Sequence, residues 1–125
     1  MTWAEMVDDP LLQDLPFKIE LNRWGNIEMS PARMRHGDYQ LRIGYLLQLL
    51  KPDGISSTEN GVSTTGGTKV PDVVWASFKR RRLEPEGVAW SSAPEICVEI
   101  LSPGNLLEEQ LHKGRLYLEA GAQEF

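Results

Sequence analysis

The segment KVPDVVWAS, residues 69–77, has the apolar pattern of a buried β-strand but carries an acidic residue inside it. Side chains at positions i and i+2 share one face of a strand, so Asp72 is expected to point the same way as Val70 and Val74. A carboxylate among apolar neighbours is costly unless it is paired or holds a metal ion. The segment therefore predicts a strand over residues 69–76 and marks Asp72 as a candidate functional residue.

The composition is that of one ordinary globular domain. The chain has 125 residues, of which 41% are hydrophobic and 25% are charged, close to globular averages. The formal net charge is −5, from 13 basic and 18 acidic residues, which gives no electrostatic argument for non-specific binding to nucleic acids or membranes. An acidic protein can still act on DNA, because a local basic face or a bound metal ion can offset the overall charge.

The cysteine content and the N-terminus indicate a cytoplasmic protein. The single cysteine, Cys97, cannot form an internal disulfide and lies in an apolar run, which fits a reducing compartment. The N-terminal sequence MTWAEMVDDP has no basic region followed by an apolar stretch, and no segment reaches the ~18 apolar residues of a spanning helix. We therefore expect neither secretion nor insertion into a membrane.

The pattern along the chain predicts an α/β fold, a mixed sheet flanked by helices, with residues 1–16 as a lead-in to one domain over residues 17–125. Turn residues and apolar periodicity mark the limits of the elements. The predicted order is a hairpin (17–29), a helix (about 32–50), a strand-loop-strand connection (55–68), the strand 69–76, a charged turn, a second strand within residues 94–104, and a helix from an N-cap at Asn105 to near Gly121.

Two further charged residues accompany Asp72 on predicted inner faces. The run EICVEILS is apolar on both faces, which predicts a central strand and places Glu99 on the same face as Cys97. In the last helix, Lys113 falls on the side of Tyr117, whereas most of the other charged residues cluster on the opposite side. A lysine in that position either extends past its neighbours to water or turns inward to meet an anion.

Two carboxylates and a lysine on one side of a sheet are what metal-dependent hydrolysis of a phosphodiester needs. Carboxylate oxygens hold Mg²⁺ or Mn²⁺, the ion lowers the pKa of a bound water, and the lysine orients that water or offsets charge on the phosphate. Each residue also has a structural interpretation, since a buried aspartate often accepts structural hydrogen bonds and a lysine on a helix is usually solvated. Because the three residues are expected together, the pattern gives the functional interpretation about as much weight as the structural one.

Several motifs in the same order resemble those of one protein family. These are GNIEMSP, VPDVVW, PEICVEILSPGN and HKGRLYLEAGAQEF, together with His36 near the start of the first long helix. They are similar to the Uma-two family of restriction-endonuclease-like proteins, within the PD-(D/E)xK nuclease superfamily. The resemblance covers about residues 17–125 and implies a restriction endonuclease-like fold and a metal-dependent endonuclease that cleaves DNA.

The resemblance also implies roles for four residues. Asp72 and Glu99 match the metal-binding acids, with Mg²⁺ or Mn²⁺ as the cofactor. Leu101 stands where the superfamily pattern has its lysine, and Lys113, followed by Tyr117, matches the lysine that the family carries on the next helix. His36 matches a polar residue near the metal, so the implied catalytic set is Asp72, Glu99, Lys113 and His36.

The family resemblance further implies a C-terminal strand that does not follow residue 125, so the domain is expected to be short at its C-terminus. An exposed sheet edge of this kind could be covered by a second copy of the chain, in a homodimer. The acidic net charge and the missing strand leave open a non-catalytic interaction module on a nuclease-like scaffold, or a purely structural network of the buried charges. The basic run KRRR, residues 79–82, could contact phosphates but is more often a solvated surface.

Overall fold

The computed structural model describes residues 1–31, 33–84 and 87–125, which form four α-helices and eight β-strands. The helices are α1 (Trp3–Asp8), α2 (Met34–Leu50), α3 (Phe78–Arg82) and α4 (Leu107–Glu119), with a short 3₁₀ helix at Pro10–Leu12. The strands are β1 (Phe17–Leu21), β2 (Ile27–Pro31), β3 (Gly54–Ser57), β4 (Gly61–Thr64), β5 (Gly67–Lys69), β6 (Val73–Ser77), β7 (Ala89–Trp90) and β8 (Ile96–Val98). Within the described ranges, none of these helices has the length and apolar character that a membrane crossing requires.

The strands form three small sheets, and the predicted α/β fold is confirmed. β1 and β2 make the expected antiparallel hairpin. β3, β6 and β8 form an antiparallel sheet in that order. β5, β4 and β7 form a second three-stranded sheet, which is mixed because β4 and β7 run parallel. α2 packs on β3 and β6, and α4 contacts β4, so helices cover both three-stranded sheets.

The predicted single strand over residues 69–76 is wrong, because the chain leaves one sheet at Lys69 and enters another at Val73. Pro71 has no N–H group to donate to a strand ladder. The preceding N–H, of Val70, donates to the Glu20 carboxylate at 2.6 Å instead of to a neighbouring strand. Asp72 therefore lies just before β6, in a break between two sheets, and not on a strand face shared with Val70.

The second predicted strand is also shorter and less central than its sequence suggests. β6 is the middle strand of its sheet, whereas β8 pairs with β6 on one side. On its other side β8 has an isolated parallel bridge from Ile96 to Glu124. The ladder ends at Val98 because the N–H of Ile100 donates to the Asp72 carboxylate at 2.7 Å. Glu99 therefore follows the strand instead of lying within it.

The two long helices agree with the predicted segments but differ at their surfaces and ends. No described residue of α2 is fully buried; Ile43 and Leu47 are half-buried, whereas Tyr39 and Leu50 on the predicted apolar face are exposed. The N-cap of α4 is Leu106, so the predicted cap at Asn105 is wrong. The Asn105 side chain instead accepts a hydrogen bond from the backbone N–H of Ser102.

The main apolar core joins α4 to strands of both three-stranded sheets. It consists of Val62, Val74, Ala76, Trp90, Ala93, Cys97, Tyr117 and Ala122. Burial raises the pKa of the Cys97 thiol to about 12, which fits a small apolar side chain and not a reactive thiol. Because Tyr117 is completely buried in this core, the polar end of its side chain is held in a fixed position.

Candidate functional site

Asp72 and Glu99 lie side by side, and backbone hydrogen bonds fix their separation. The N–H of Asp72 donates to the Val98 carbonyl at 2.9 Å, and the N–H of Ile100 donates to Oδ2 of Asp72 at 2.7 Å. The two side chains are only 2% and 3% exposed. The break after β5 and the end of β8 thus bring two buried acids together without requiring either one to lie in a strand.

Glu99 is held from the helical side by Tyr117. The Tyr117 hydroxyl donates to Oε1 of Glu99 at 2.7 Å. Burial and the nearby Glu99 charge raise the pKa of this hydroxyl, so it remains a donor at any ordinary pH. Because the aromatic ring is anchored in the core, this hydrogen bond orients the carboxylate and leaves Oε2 to face the cleft side.

Lys113 points inward from α4 and pairs with a carboxylate on the hairpin. Its Nζ atom donates to Oε1 of Glu20 at 2.7 Å and lies 3.8 Å from Oε1 of Glu99. Glu20 is buried, and its Oε2 atom accepts the hydrogen bond from the N–H of Val70. Lys113 is therefore fixed beside the acid pair by a carboxylate that is itself fixed by the backbone.

His36 approaches Asp72 from the first turn of α2. Its Nε2 atom is 2.8 Å from Oδ1 of Asp72, and its Nδ1 atom is 3.1 Å from the Ser102 hydroxyl. One helical turn later, the Gln40 amide donates to the backbone carbonyl of Asp72 at 2.8 Å. Positions i and i+4 share a helix face, so α2 holds both the side chain and the backbone of Asp72.

Lys18, from β1, places a positive charge between the two acids. Its Nζ atom is 3.1 Å from Oδ1 of Asp72 and 3.4 Å from Oε2 of Glu99. Burial opposes the charge on Lys18, but the carboxylates of Glu99, Glu20 and Asp72 outweigh it and raise the pKa of the ammonium group. Burial likewise favours protonation of Asp72, but Lys18, the Ile100 N–H and His36 hold the pKa of Asp72 below its ordinary value.

The structure brings all four residues of the predicted catalytic set into one cluster: Asp72, Glu99, Lys113 and His36. Their catalytic and metal-binding roles stay predictions. Sequence reasoning missed Lys18 and Glu20, which alternate with the apolar residues of β1 and share one strand face. The sequence carries no signal that distinguishes them, because alternating charges of this kind also occur on ordinary solvent-exposed strand faces.

Lys18 and the four residues of the predicted catalytic set line a cleft of about 520 Å³ that is open to solvent. Its ionisable lining residues are Lys18, Arg33, His36, Glu59, Asp72, Glu99 and Lys113. The basic run at residues 79–82 lies elsewhere, where the guanidinium groups of Arg80 and Arg81 lie over the Trp90 ring at 5.3 and 5.9 Å. The positive charge available to a ligand in the cleft therefore comes from β1, α4 and the start of α2.

The acid pair has the donor chemistry that a hard divalent cation requires. Oδ1 of Asp72 and Oε2 of Glu99 converge on one position, where the Lys18 ammonium acts as the cation. Among residues 1–31, 33–84 and 87–125, no three Asp, Glu, His or Cys side chains form a metal-binding group. Mg²⁺ is commonly held by one or two carboxylates, with water and substrate phosphate as the other ligands, and this pair fits that pattern.

The protonation of Glu99 should make stability depend on pH near neutrality. Burial raises the pKa of Glu99 from 4.5 to about 7. The charges of Lys18 and Lys113 oppose this rise, the charge of Asp72 adds to it, and the hydrogen bond from Tyr117 opposes it. Between those values the folded protein binds a proton that the unfolded chain releases, so the free energy of unfolding falls as pH rises. We expect the free energy of unfolding, measured by urea titration in the presence of chelator, to decrease by about 3 kcal/mol between pH 4.5 and 7. A slope that persists in Glu99→Gln would contradict this assignment.

The comparisons with known proteins agree with the fold and the predicted family. A family model described as "Uma2: Putative restriction endonuclease" matches residues 9–125. Among four matching solved chains is a crystal structure of "a putative nuclease belonging to DUF820" from Anabaena variabilis ATCC 29413, with a TM-score of 0.75 and 22% identity. That alignment covers 98% of this chain and 70% of the other, and at this identity it shows a shared fold. No curated protein gives a significant match. Since the family model spans nearly the whole sequence, the chain belongs to the Uma2 family.

Proposed function

We propose that this domain is a metal-dependent endonuclease that hydrolyses phosphodiester bonds of DNA. The observation that carries the proposal is the convergence of Asp72, Glu99 and Lys113 on the floor of one open cleft. Family membership and the nuclease-like fold support it. A site that supports hydrolysis can consist of buried carboxylates beside a fixed ammonium group in a cleft. A structural ion pair, by contrast, does not require a cleft.

In this proposal Asp72 and Glu99 would hold a Mg²⁺ or Mn²⁺ ion through their carboxylates. Such an ion supplies a water of lowered pKa and offsets negative charge on the phosphate. One oxygen of each carboxylate is already engaged, by the Ile100 N–H and by the Tyr117 hydroxyl. These contacts fix the orientation of both acids, and fixed ligands of this kind lose little entropy on binding.

The remaining residues orient and stabilise charge. Lys113 lies 3.8 Å from Glu99, so its ammonium group can hold a water near the acid pair or donate to a phosphate oxygen. Glu20 keeps that group in place. His36 lies 2.8 Å from Asp72 and holds the carboxylate from the α2 side. The chain thus supplies the acids, the cation and the residues that position them from five separate segments.

A DNA backbone fits the charges of the cleft better than those of the whole protein. The overall charge is −5, whereas the cleft lining balances three basic side chains, Lys18, Lys113 and Arg33, against three acidic ones, Glu59, Asp72 and Glu99. A divalent ion on Asp72 and Glu99 would make the cleft positive. Contacts to phosphates position a nucleic acid without reading its sequence, and lysine and arginine provide most of them. We therefore expect binding that weakens steeply as the salt concentration rises, because each neutralised phosphate releases counterions.

Metal binding and DNA cleavage test the proposal separately. Protein freed of metal with a chelator is titrated with Mn²⁺ in a calorimeter and is then incubated with supercoiled plasmid and with linear single-stranded DNA. We expect one Mn²⁺ per chain and plasmid nicking that requires Mn²⁺ or Mg²⁺ and stops on addition of EDTA. Mn²⁺ binding without cleavage of either DNA would favour a non-catalytic module, and no binding at all would contradict the metal-dependent function.

A further inference from the structure

Lys18 occupies the position that a divalent ion would take in the proposed site. Each acid has one oxygen committed to an internal donor, Oδ2 of Asp72 to the Ile100 N–H and Oε1 of Glu99 to the Tyr117 hydroxyl. The other two oxygens both face Nζ of Lys18, at 3.1 and 3.4 Å, and Oδ1 of Asp72 also lies 2.8 Å from Nε2 of His36. The ammonium group and a metal ion would therefore compete for the same pair of oxygens.

The packing around Lys18 explains why a cation is needed there. The side chains of Asp72 and Glu99 are almost fully buried, and two like charges this close destabilise each other without a counterion. Lys113 does not supply that charge, because its short contact is with Glu20 at 2.7 Å and its distance to Glu99 is 3.8 Å. Lys18 is the cation that contacts both acids, and its own side chain is 20% exposed, so a path to the cleft remains open.

We infer that Lys18 is an internal counterion that keeps the acid pair assembled and must leave it before a divalent metal ion can bind. This inference rests on the proposed function, because it concerns the same carboxylates. Lys18 would then set the threshold of metal concentration at which the site fills. The ammonium group, released toward the cleft, would be exchanged for Mg²⁺ or Mn²⁺ without leaving the acids unpaired at either stage.

Replacing Lys18 should move two measurements in opposite directions. Lys18→Met keeps the apolar stem and removes the charge, so we expect Mn²⁺ to bind at least about tenfold more tightly in calorimetry, since no internal cation competes. In chelator, the same variant should unfold at a lower temperature than the wild type, and added Mn²⁺ should raise its midpoint by more than it raises that of the wild type. Lys18→Gln, which keeps a hydrogen-bond donor, provides a second neutral variant should Lys18→Met not fold.

Lys69→Met is the matched control. Lys69 is also buried and pairs with one carboxylate, Glu28, at 3.7 Å, so this change removes an equal charge without touching the acid pair. We expect its Mn²⁺ affinity to stay within about twofold of the wild type, because Lys69 pairs with Glu28 and contacts neither Asp72 nor Glu99 through an ion pair.

Chemical labelling tests the exchange in the wild-type protein. Brief acetylation of lysines, followed by mass spectrometry, should modify Lys18 several-fold faster with saturating Mn²⁺ than with chelator, while labelling of Lys69 stays constant. This inference would be overturned if the wild type and the Lys18 variants bound Mn²⁺ with equal affinity, or if the labelling rate of Lys18 did not change with Mn²⁺. Neither result would contradict the proposed nuclease function. Absence of Mn²⁺ binding to every protein would overturn both.

Discussion

Asp72→Asn is expected to abolish both Mn²⁺ binding and DNA cleavage while leaving the fold intact. The amide keeps the size of the side chain and an oxygen that can accept the hydrogen bond from the Ile100 N–H. It removes the negative charge that pairs with Lys18 and would bind the metal. A bound metal ion contributes several kcal/mol to the stability of the transition state, so cleavage should fall at least about 1,000-fold.

The control for Asp72→Asn is the same change at Asp53, an exposed residue outside the lining of the cleft. Asp53→Asn should cleave plasmid at the wild-type rate. Circular dichroism and cooperative urea unfolding establish that both variants are folded. Loss of a true metal ligand should reduce cleavage by much more than about tenfold. A folded Asp72→Asn protein that retains more than about a tenth of wild-type cleavage would therefore rule out Asp72 as a metal ligand.

Lys113→Met should separate cleavage from metal binding. The ammonium group lies 3.8 Å from Glu99 but makes its short contact with Glu20, so its loss leaves both acids that would hold the metal in place. We expect Mn²⁺ affinity to be unchanged or slightly higher and cleavage to fall about 100-fold to 1,000-fold, the usual cost of losing one charge-stabilising donor. Calorimetry and plasmid nicking under single-turnover conditions measure the two effects separately.

The neutral variant also leaves Glu20 buried without its partner, which can cost about 3–5 kcal/mol of stability. Lys113→Arg keeps the positive charge for Glu20 and changes only the position of the donor, so it should fold well and still cleave slowly. Arg115→Met removes an exposed cation from the same helix and should have no effect. Wild-type cleavage by folded Lys113→Met and Lys113→Arg proteins would exclude the proposed role.

The parts of the fold set by local pattern were predictable from the sequence. The hairpin and the two long helices follow from turn residues and periodicity, and the α/β fold and family resemblance are confirmed. The strand break at Asp72 was not, because the pattern of apolar residues continues across Pro71. What ends the strand there is the donation of the Val70 N–H to Glu20, a residue 50 positions away in the chain. Pro71 is the local sign of a break, but the contact with Glu20 cannot be seen in a local pattern.

In the candidate site, too, some residues were predictable from the local pattern and others were not. Asp72, Glu99 and Lys113 stand out as charges in apolar surroundings, and the helical period places Lys113 on the same side of its helix as Tyr117. Lys18 and Glu20 do not stand out, because the polar face of a hairpin strand with alternating polar and apolar residues is usually exposed to solvent. Here that polar face lies over the buried acids, so the residues that complete the charge balance look like ordinary surface residues in the sequence.

The backbone link between Asp72 and the end of β8 has a consequence for how such a site can vary. Hydrogen bonds from the Asp72 N–H to Val98 and from the Ile100 N–H to Asp72 fix the two acids relative to each other through the backbone. The cations have no such restriction, because a long flexible side chain needs only to reach the acids. A cation can therefore reach the acids from a strand, as Lys18 does, or from a helix, as Lys113 does, while the acids keep their spacing.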